Sequence, residues 1–351
     1  MTLKTIPAIH YTVDAGQTHS HLFQISVHIA KPAAGQVVSL PVWIPGSYLV
    51  REFSKNLQNL KAKQAGKSVA VFQDHKSQWH IDCKSTAALE LSYEVYAFDN
   101  SVRTAWLDTQ RGFFNGTSVC LRVHGQEDTA HALTVKAPKD STWSLATGLQ
   151  SVKVNKQGFG DYVAAHYDEL VDCPVEMGHF WRGEFTACGI PHSFVVSGAM
   201  ASFDGARLIA DTQKICEAEI KFWHEKKPAA SAPYKRYVFM LNAVEDGYGG
   251  LEHRNSTALI CNRRDLPSID MKKMSEGYVT LLGLISHEYF HTWNVKQLRP
   301  AEFKRYDYTQ ENYTELLWFF EGFTSYYDDL LLRRAKLIDD AQYFKLLNKT
   351  I

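Results

Sequence analysis

Two histidines four positions apart enclose an acidic residue in the segment His287-Glu288-Tyr289-Phe290-His291. In a helix, residues four apart lie one turn apart on one face, so both imidazoles can reach a single cation. Glu288, rotated by about 100° from His287, can then approach water bound to that cation. The chemistry open to such a group is metal-assisted hydrolysis. The chain holds fifteen histidines and eighteen glutamates, so the pattern arises by accident in about one such sequence in thirty. Its surroundings raise the odds. Leu281, Leu282, Ile285 and Tyr289 fall largely on other faces, and Gly283, one turn before His287, leaves the histidine face uncovered. The bland alternative is a pair of histidines satisfied by hydrogen bonds on a half-buried helix.

A catalytic zinc ion takes three protein ligands and leaves one position open. The third candidate is Glu321, set in the nearly uninterrupted apolar segment 316–327. A carboxylate in such a segment carries a desolvation cost unless a cation pairs with it. The competing partner is a nearby Arg or Lys, and few flank the segment. Thr324 and Ser325, three and four residues after Glu321, and Asn294, three after His291, are placed to hydrogen-bond behind the ligands.

A glycine-rich stretch, Asp246-Gly247-Tyr248-Gly249-Gly250-Leu251-Glu252-His253, lies between two apolar strands. Its glycines permit positive φ and a close approach of another group. If the strand from Leu251 is a sheet edge, an extended peptide can add to it, flanked by Tyr248, Gly249 and Gly250, with Glu252 facing the peptide's end. A carboxylate at a fixed distance from the metal would hold a free α-ammonium and select removal of one N-terminal residue. The plainer reading is a hairpin turn with Glu252 paired to Arg254.

The elements that must position these residues are legible in the patterning. From residue 8 to about 170, segments such as 21–30, 88–97 and 132–137 alternate apolar and polar residues, separated by Gly, Pro, Asn and Asp. That predicts an all-β, largely antiparallel first domain over 1–172. Further strands are expected over 184–197, 236–244 and 251–261, with a helix from Asp204 to about Glu225. Two more helices are expected. One runs over 274–295, and one starts near Asn312, where Asn312-Tyr-Thr-Glu315 has the form of a capping box, and continues toward the C-terminus. The second domain is thus 173–351 and the class α+β.

The composition bounds the partners. The chain has 351 residues, with 38 Lys plus Arg against 38 Asp plus Glu. A net charge of zero argues against a nucleic-acid partner. No apolar run reaches a membrane span, and the first seven residues lack the apolar core of a signal peptide. Six widely spaced cysteines without a CxxC predict reduced thiols and a cytoplasmic protein. The oligomeric state is left open.

Taken together, the 287–300 stretch, the 318–327 segment and Gly247–His253 resemble the glycyl aminopeptidase family of gluzincin zinc metallopeptidases. Trp43–Phe53, Asp99–Asp108 and Arg111–Gly116 resemble that family's N-terminal domain. The resemblance implies a β-rich N-terminal domain followed by a thermolysin-like catalytic domain, truncated at the C-terminus. It implies one zinc ion per chain on His287, His291 and Glu321, with Glu288 as general base. The implied substrates are peptides with a free N-terminus, glycine and alanine preferred. The alternatives are a zinc endopeptidase with the same site and a non-catalytic zinc-stabilised peptide-binding module. Phe320 stands where larger relatives have Asn, and Leu251-Glu252-His253 replaces Met-Glu-Asn, so the role of Glu252 is carried by position. The oxyanion-stabilising tyrosine is expected beyond Ile351, with Tyr248, Tyr308 and Tyr313 as weaker in-chain substitutes. Asn115 is a further position offered for the amine pocket.

Overall fold

A computed structural model of the chain describes residues 7–139, 141–225 and 231–350. The reading of the first residues as free of a signal-peptide core therefore falls mostly outside the described part. The chain divides into two compact units, Met1–His179 with Asp307–Glu311, and Phe180–Tyr306 with Asn312–Ile351. The first unit extends past the expected 172 because Val175–Gly178 is a strand of its sheets, paired with Arg111–Phe114 and with Ser144–Thr147.

The period-two pattern of the first unit does what such patterns dictate. An eight-stranded sheet carries Ile9–Gln17, Leu22–Ile29 and Leu89–Tyr96 among its central strands, and two four-stranded sheets complete the unit. Ile9, Tyr11 and Val13, Phe23, Ile25 and Val27, and Leu91, Tyr93 and Val95 all point into the core while their neighbours face outward. Pairing is antiparallel except between Ile9–Gln17 and His131–Lys136, which run parallel. The phenols of Tyr11, Tyr93 and Tyr167 donate to the carbonyls of Leu121, Val119 and Cys120, so one buried turn is held from three sides.

In the second unit a five-stranded sheet is built from β1 (Phe180–Ala187), β2 (Ile190–Ser197), β3 (Tyr237–Val244), β4 (Gly249–Glu252) and β5 (Ser256–Asn262). Their order is β1-β2-β3-β5-β4. Strand β3, nearly continuously apolar, is central and parallel to both neighbours, as expected of a strand buried on both faces. The single strand expected over 251–261 is instead a hairpin, because His253 N–H donates to Ser256 O and turns the chain. Strand β4 is consequently a true edge.

Among the described residues the α-helices of this unit are α1 (Gly205–Trp223), α2 (Glu276–Phe290), α3 (Leu317–Arg334) and α4 (Asp340–Thr350). Helix α2 begins where Ser275 accepts from Tyr278 N–H at 3.0 Å, and it ends at Phe290 with His291 as its cap, before the expected 295. Val295, at φ 147°, cannot continue a helix. Helix α3 starts at Leu317 rather than at Asn312, and no side chain caps it. Lys336, at φ 59°, separates it from α4, where one continuous helix was expected. Among the described residues no helix is long and apolar enough to cross a membrane.

Candidate metal centre

The two middle residues of His287–His291 anchor the helix. Tyr289 is fully buried against the sheet, its hydroxyl donating to His192 Nε2 at 2.8 Å and hydrogen-bonded to the Tyr234 hydroxyl. Phe290 packs on the other flank against Trp223 and stacks on Tyr327. With these two locked, His287, Glu288 and His291 are left for chemistry.

His287 Nε2 lies 3.1 Å from His291 Nε2 and 3.5 Å from Glu321 Oε2, and His291 Nε2 lies 3.7 Å from the same oxygen. Ligands held at about 2.1 Å in tetrahedral geometry stand about 3.4 Å apart. The three donor atoms therefore already have the separations of a tetrahedral divalent-ion site, and His₂Glu is a donor set suited to zinc.

Each imidazole is oriented through its other nitrogen. His287 Nδ1 donates to Asp328 Oδ2 at 3.0 Å, and His291 Nδ1 donates to the Asn294 carbonyl at 2.9 Å. Both Nε2 lone pairs are thereby left toward the centre. Asn294 also donates through Nδ2 to Phe320 O (3.0 Å) and Thr324 Oγ1 (3.1 Å), while Thr324 donates to Phe320 O (2.6 Å). The turn after α2 is thus clamped to α3, one turn from Glu321. Ser325, expected to share this work, is exposed. Asp328, two turns after Glu321, does it instead. Its only sequence signal was that i+7 spacing.

The apolar setting expected for Glu321 is different in fact. Helix α3 buries Phe320, Thr324, Leu331 and Leu332, and leaves Trp318, Phe323 and Tyr326 exposed. Glu321 itself is part-exposed, so convergence with the histidines, not desolvation, makes it a candidate ligand.

Glu288 is buried, and its Oε2 has no hydrogen-bond partner among the described residues. Burial pushes its carboxyl up to about 7; the two imidazoles pull it down, and Glu252 and Glu321 push it further up. Edge strand β4 passes directly over it. At Gly250 a Cβ would stand 2.3 Å from Glu288 Oε1, so only glycine admits this approach. Gly249 takes φ 150°, the other use of the glycines. Glu252, 8% exposed, lies close enough to act on the charges of Glu288 and His291. Tyr248 is 61% exposed as a residue, yet burial of its hydroxyl and the Asp328 and Glu288 carboxylates push its phenol to about 12.

Three other candidates are placed elsewhere. Tyr308 is buried in the first unit against Tyr167, and Tyr313 is 75% exposed. Asn115 is fully buried in the first unit, its amide donating to the Val102 and Thr104 carbonyls.

Two profiles of one peptidase family match the chain, the M61 N-terminal domain over residues 10–179 and the M61 glycyl aminopeptidase domain over residues 280–351. The crystal structure of an aminopeptidase N family protein from Idiomarina loihiensis is 44% identical, with a TM-score of 0.93 over 97% of this chain and 57% of that one. The present chain thus spans little more than half of that relative. The M1 zinc metallopeptidase from Deinococcus radiodurans aligns at 14% identity and a TM-score of 0.51, over 94% of this chain and 70% of that one. At that identity the likeness concerns the fold alone. It agrees with the expected order of a β-rich N-terminal domain and a gluzincin catalytic fold. No curated protein matches the chain.

Proposed function

The chain belongs to the M61 glycyl aminopeptidase family, and from that premise we propose that it is a zinc-dependent aminopeptidase acting on peptides with a free N-terminus. The observation that carries the reading is the convergence of His287, His291 and Glu321, with Glu288 buried beside them and one of its oxygens uncommitted. These three residues would hold one zinc ion per chain. When bound, zinc supplies a Lewis acid that polarises the scissile carbonyl and acidifies water. Glu288 accepts the proton of the attacking water and hands it to the leaving amine. A carboxyl raised by burial is suited to both halves of that transfer. Asp328 and the Asn294 carbonyl keep the imidazoles in one tautomer throughout.

Substrate binding falls to the edge of the sheet. A peptide would lie along β4, whose glycines leave the backbone bare, with Tyr248 at its flank and Glu252 taking the α-ammonium. Glycine and alanine are the proposed first residues, of which the family's description names glycine. Six widely spaced cysteines, with no CxxC among them, support a reducing, cytoplasmic setting.

The test compares glycyl and alanyl peptides with free and with acetylated N-termini, alongside the zinc content of the protein. Cleavage of the free forms alone is expected. Equal cleavage of both would make the protein an endopeptidase. Full zinc occupancy with no cleavage of any peptide would make it a binding module and end the enzymatic reading.

A further inference from the structure

Glu219 is fully buried on α1, and the hydrolytic reading has no use for it. Its neighbour is Ser286, also fully buried, on α2 immediately before His287. The Ser286 hydroxyl lies 2.9 Å from Glu219 Oε1 and 2.9 Å from the backbone carbonyl oxygen of Asp328 on α3. One oxygen atom therefore joins three helices at the back of the metal centre.

Counting protons decides the direction of these bonds. A hydroxyl has one proton to give, and a carbonyl oxygen can only accept. Were Glu219 a carboxylate, Ser286 would face two acceptors and could satisfy one. Glu219 Oε2, which has no partner among the described residues, would then leave a buried charge poorly compensated. With the carboxyl protonated, Glu219 donates to Ser286 and Ser286 donates to Asp328, and each contact pairs a donor with an acceptor. The environment agrees. Burial pushes Glu219 well above the ordinary carboxylate range, aided by the charge of Asp328 and opposed by Ser286 and by the charge of His287.

The end of this chain is the residue that sets His287, since the Asp328 carboxylate accepts from His287 Nδ1 at 3.0 Å. We propose that Glu219 is a positioning residue of the metal centre: as a hydrogen-bond donor it acts through Ser286 on the Asp328 backbone, and so holds the carboxylate that fixes the tautomer and direction of His287. The inference rests on the reading that His287, His291 and Glu321 bind the metal. Its sequence signal is weak, a single Glu on the buried side of an amphipathic helix, and only the packing of α1 against α2 and α3 gives it a partner.

The experiment measures the zinc dissociation constant of the full chain by competition with a chromophoric chelator, and the visible spectrum of the cobalt-substituted protein. It compares the wild type with E219Q, E219M and S286A. Gln keeps a donor toward Ser286 and should leave zinc affinity within about threefold of wild type. Met fills similar space without a donor, and S286A deletes the relay. Both should weaken zinc binding by about 10- to 100-fold, the usual effect of losing an outer partner of a ligand, and should shift the cobalt bands. Zinc binding at wild-type strength in E219M and S286A would overturn the proposal. So would a loss in E219Q as large as in E219M, since it would make the acid rather than the donor the active feature. If E219M fails to fold, S286A, a substitution that suits a helix, decides the matter. A wild-type chain that binds no zinc would refute the metal site itself, whereas tight binding that is indifferent to these variants refutes only the role of Glu219.

Discussion

Gly250 lets strand β4 run so close to Glu288 that a Cβ there would stand 2.3 Å from Oε1 and 2.4 Å from Cδ. Since the obstructing group is the proposed base itself, G250A should displace that carboxyl without touching the metal ligands. The expected result is unchanged zinc content with turnover of an alanyl peptide lowered by at least ~10-fold, a part of the ~10² to 10⁴ that a general base contributes. E288Q should show the whole of that loss, again with zinc retained, and full activity in E288Q would remove the base from the mechanism. Replacing Asp328 by Ala should weaken zinc binding by about 10- to 100-fold while leaving His287 in place. Chelator competition would measure it, and undiminished affinity would show that His287 needs no such support.

At the scale of elements, α2 owes its start to Ser275, whose hydroxyl accepts from Tyr278 N–H. S275A is expected to cost about 1 kcal/mol, seen as a lower urea midpoint of the second unit; an unchanged midpoint would mean that packing alone defines the helix end. The elements most legible in the sequence were those with strong periodicity. Strands Leu22–Ile29 and Leu89–Tyr96 and helix Gly205–Trp223 stand where the pattern put them, because alternation and helical spacing are themselves the response to a one-sided core. The errors fell where a single backbone angle or bond overrides the pattern. Lys336 ends a helical run by positive φ, Val295 keeps the run that stops at Phe290 from resuming, and the 253–256 turn splits one expected strand into two. The Asn312–Glu315 box had the right residue types for a cap, yet the helix begins after it.

Across the whole molecule, each unit carries a buried histidine that cannot easily take a proton. His131 in the first unit and His192 in the second are both lowered by burial to about 4. Above pH 6.5 both are neutral folded or unfolded, and neither affects stability. As pH falls below 6.5 the unfolded chain gains protons that the folded chain refuses, so stability declines until about pH 4. Each histidine contributes about 3 kcal/mol to that decline. Thermal midpoints measured between pH 7 and 4 should fall accordingly. H131F should flatten the slope for the first unit and H192F for the second, the latter from a lower start because His192 accepts the Tyr289 hydroxyl. A slope unaltered in both variants would assign acid sensitivity to other groups.

The sequence by itself determined the chemistry on offer. The spacing of His287, Glu288 and His291 is a property of one helix, and a single helix needs no partner to put two side chains on one face. The alternating first domain and the buried central strand β3 were likewise local patterns. Only the tertiary structure decided which residues stand behind them. Glu321 is joined to the histidines by helix packing, Asp328 and Glu219 gain their partners across α1, α2 and α3, and Gly250 meets Glu288 across a sheet edge. Those contacts join residues as much as 67 positions apart. Their geometry is fixed by how elements pack, which no spacing along the chain records.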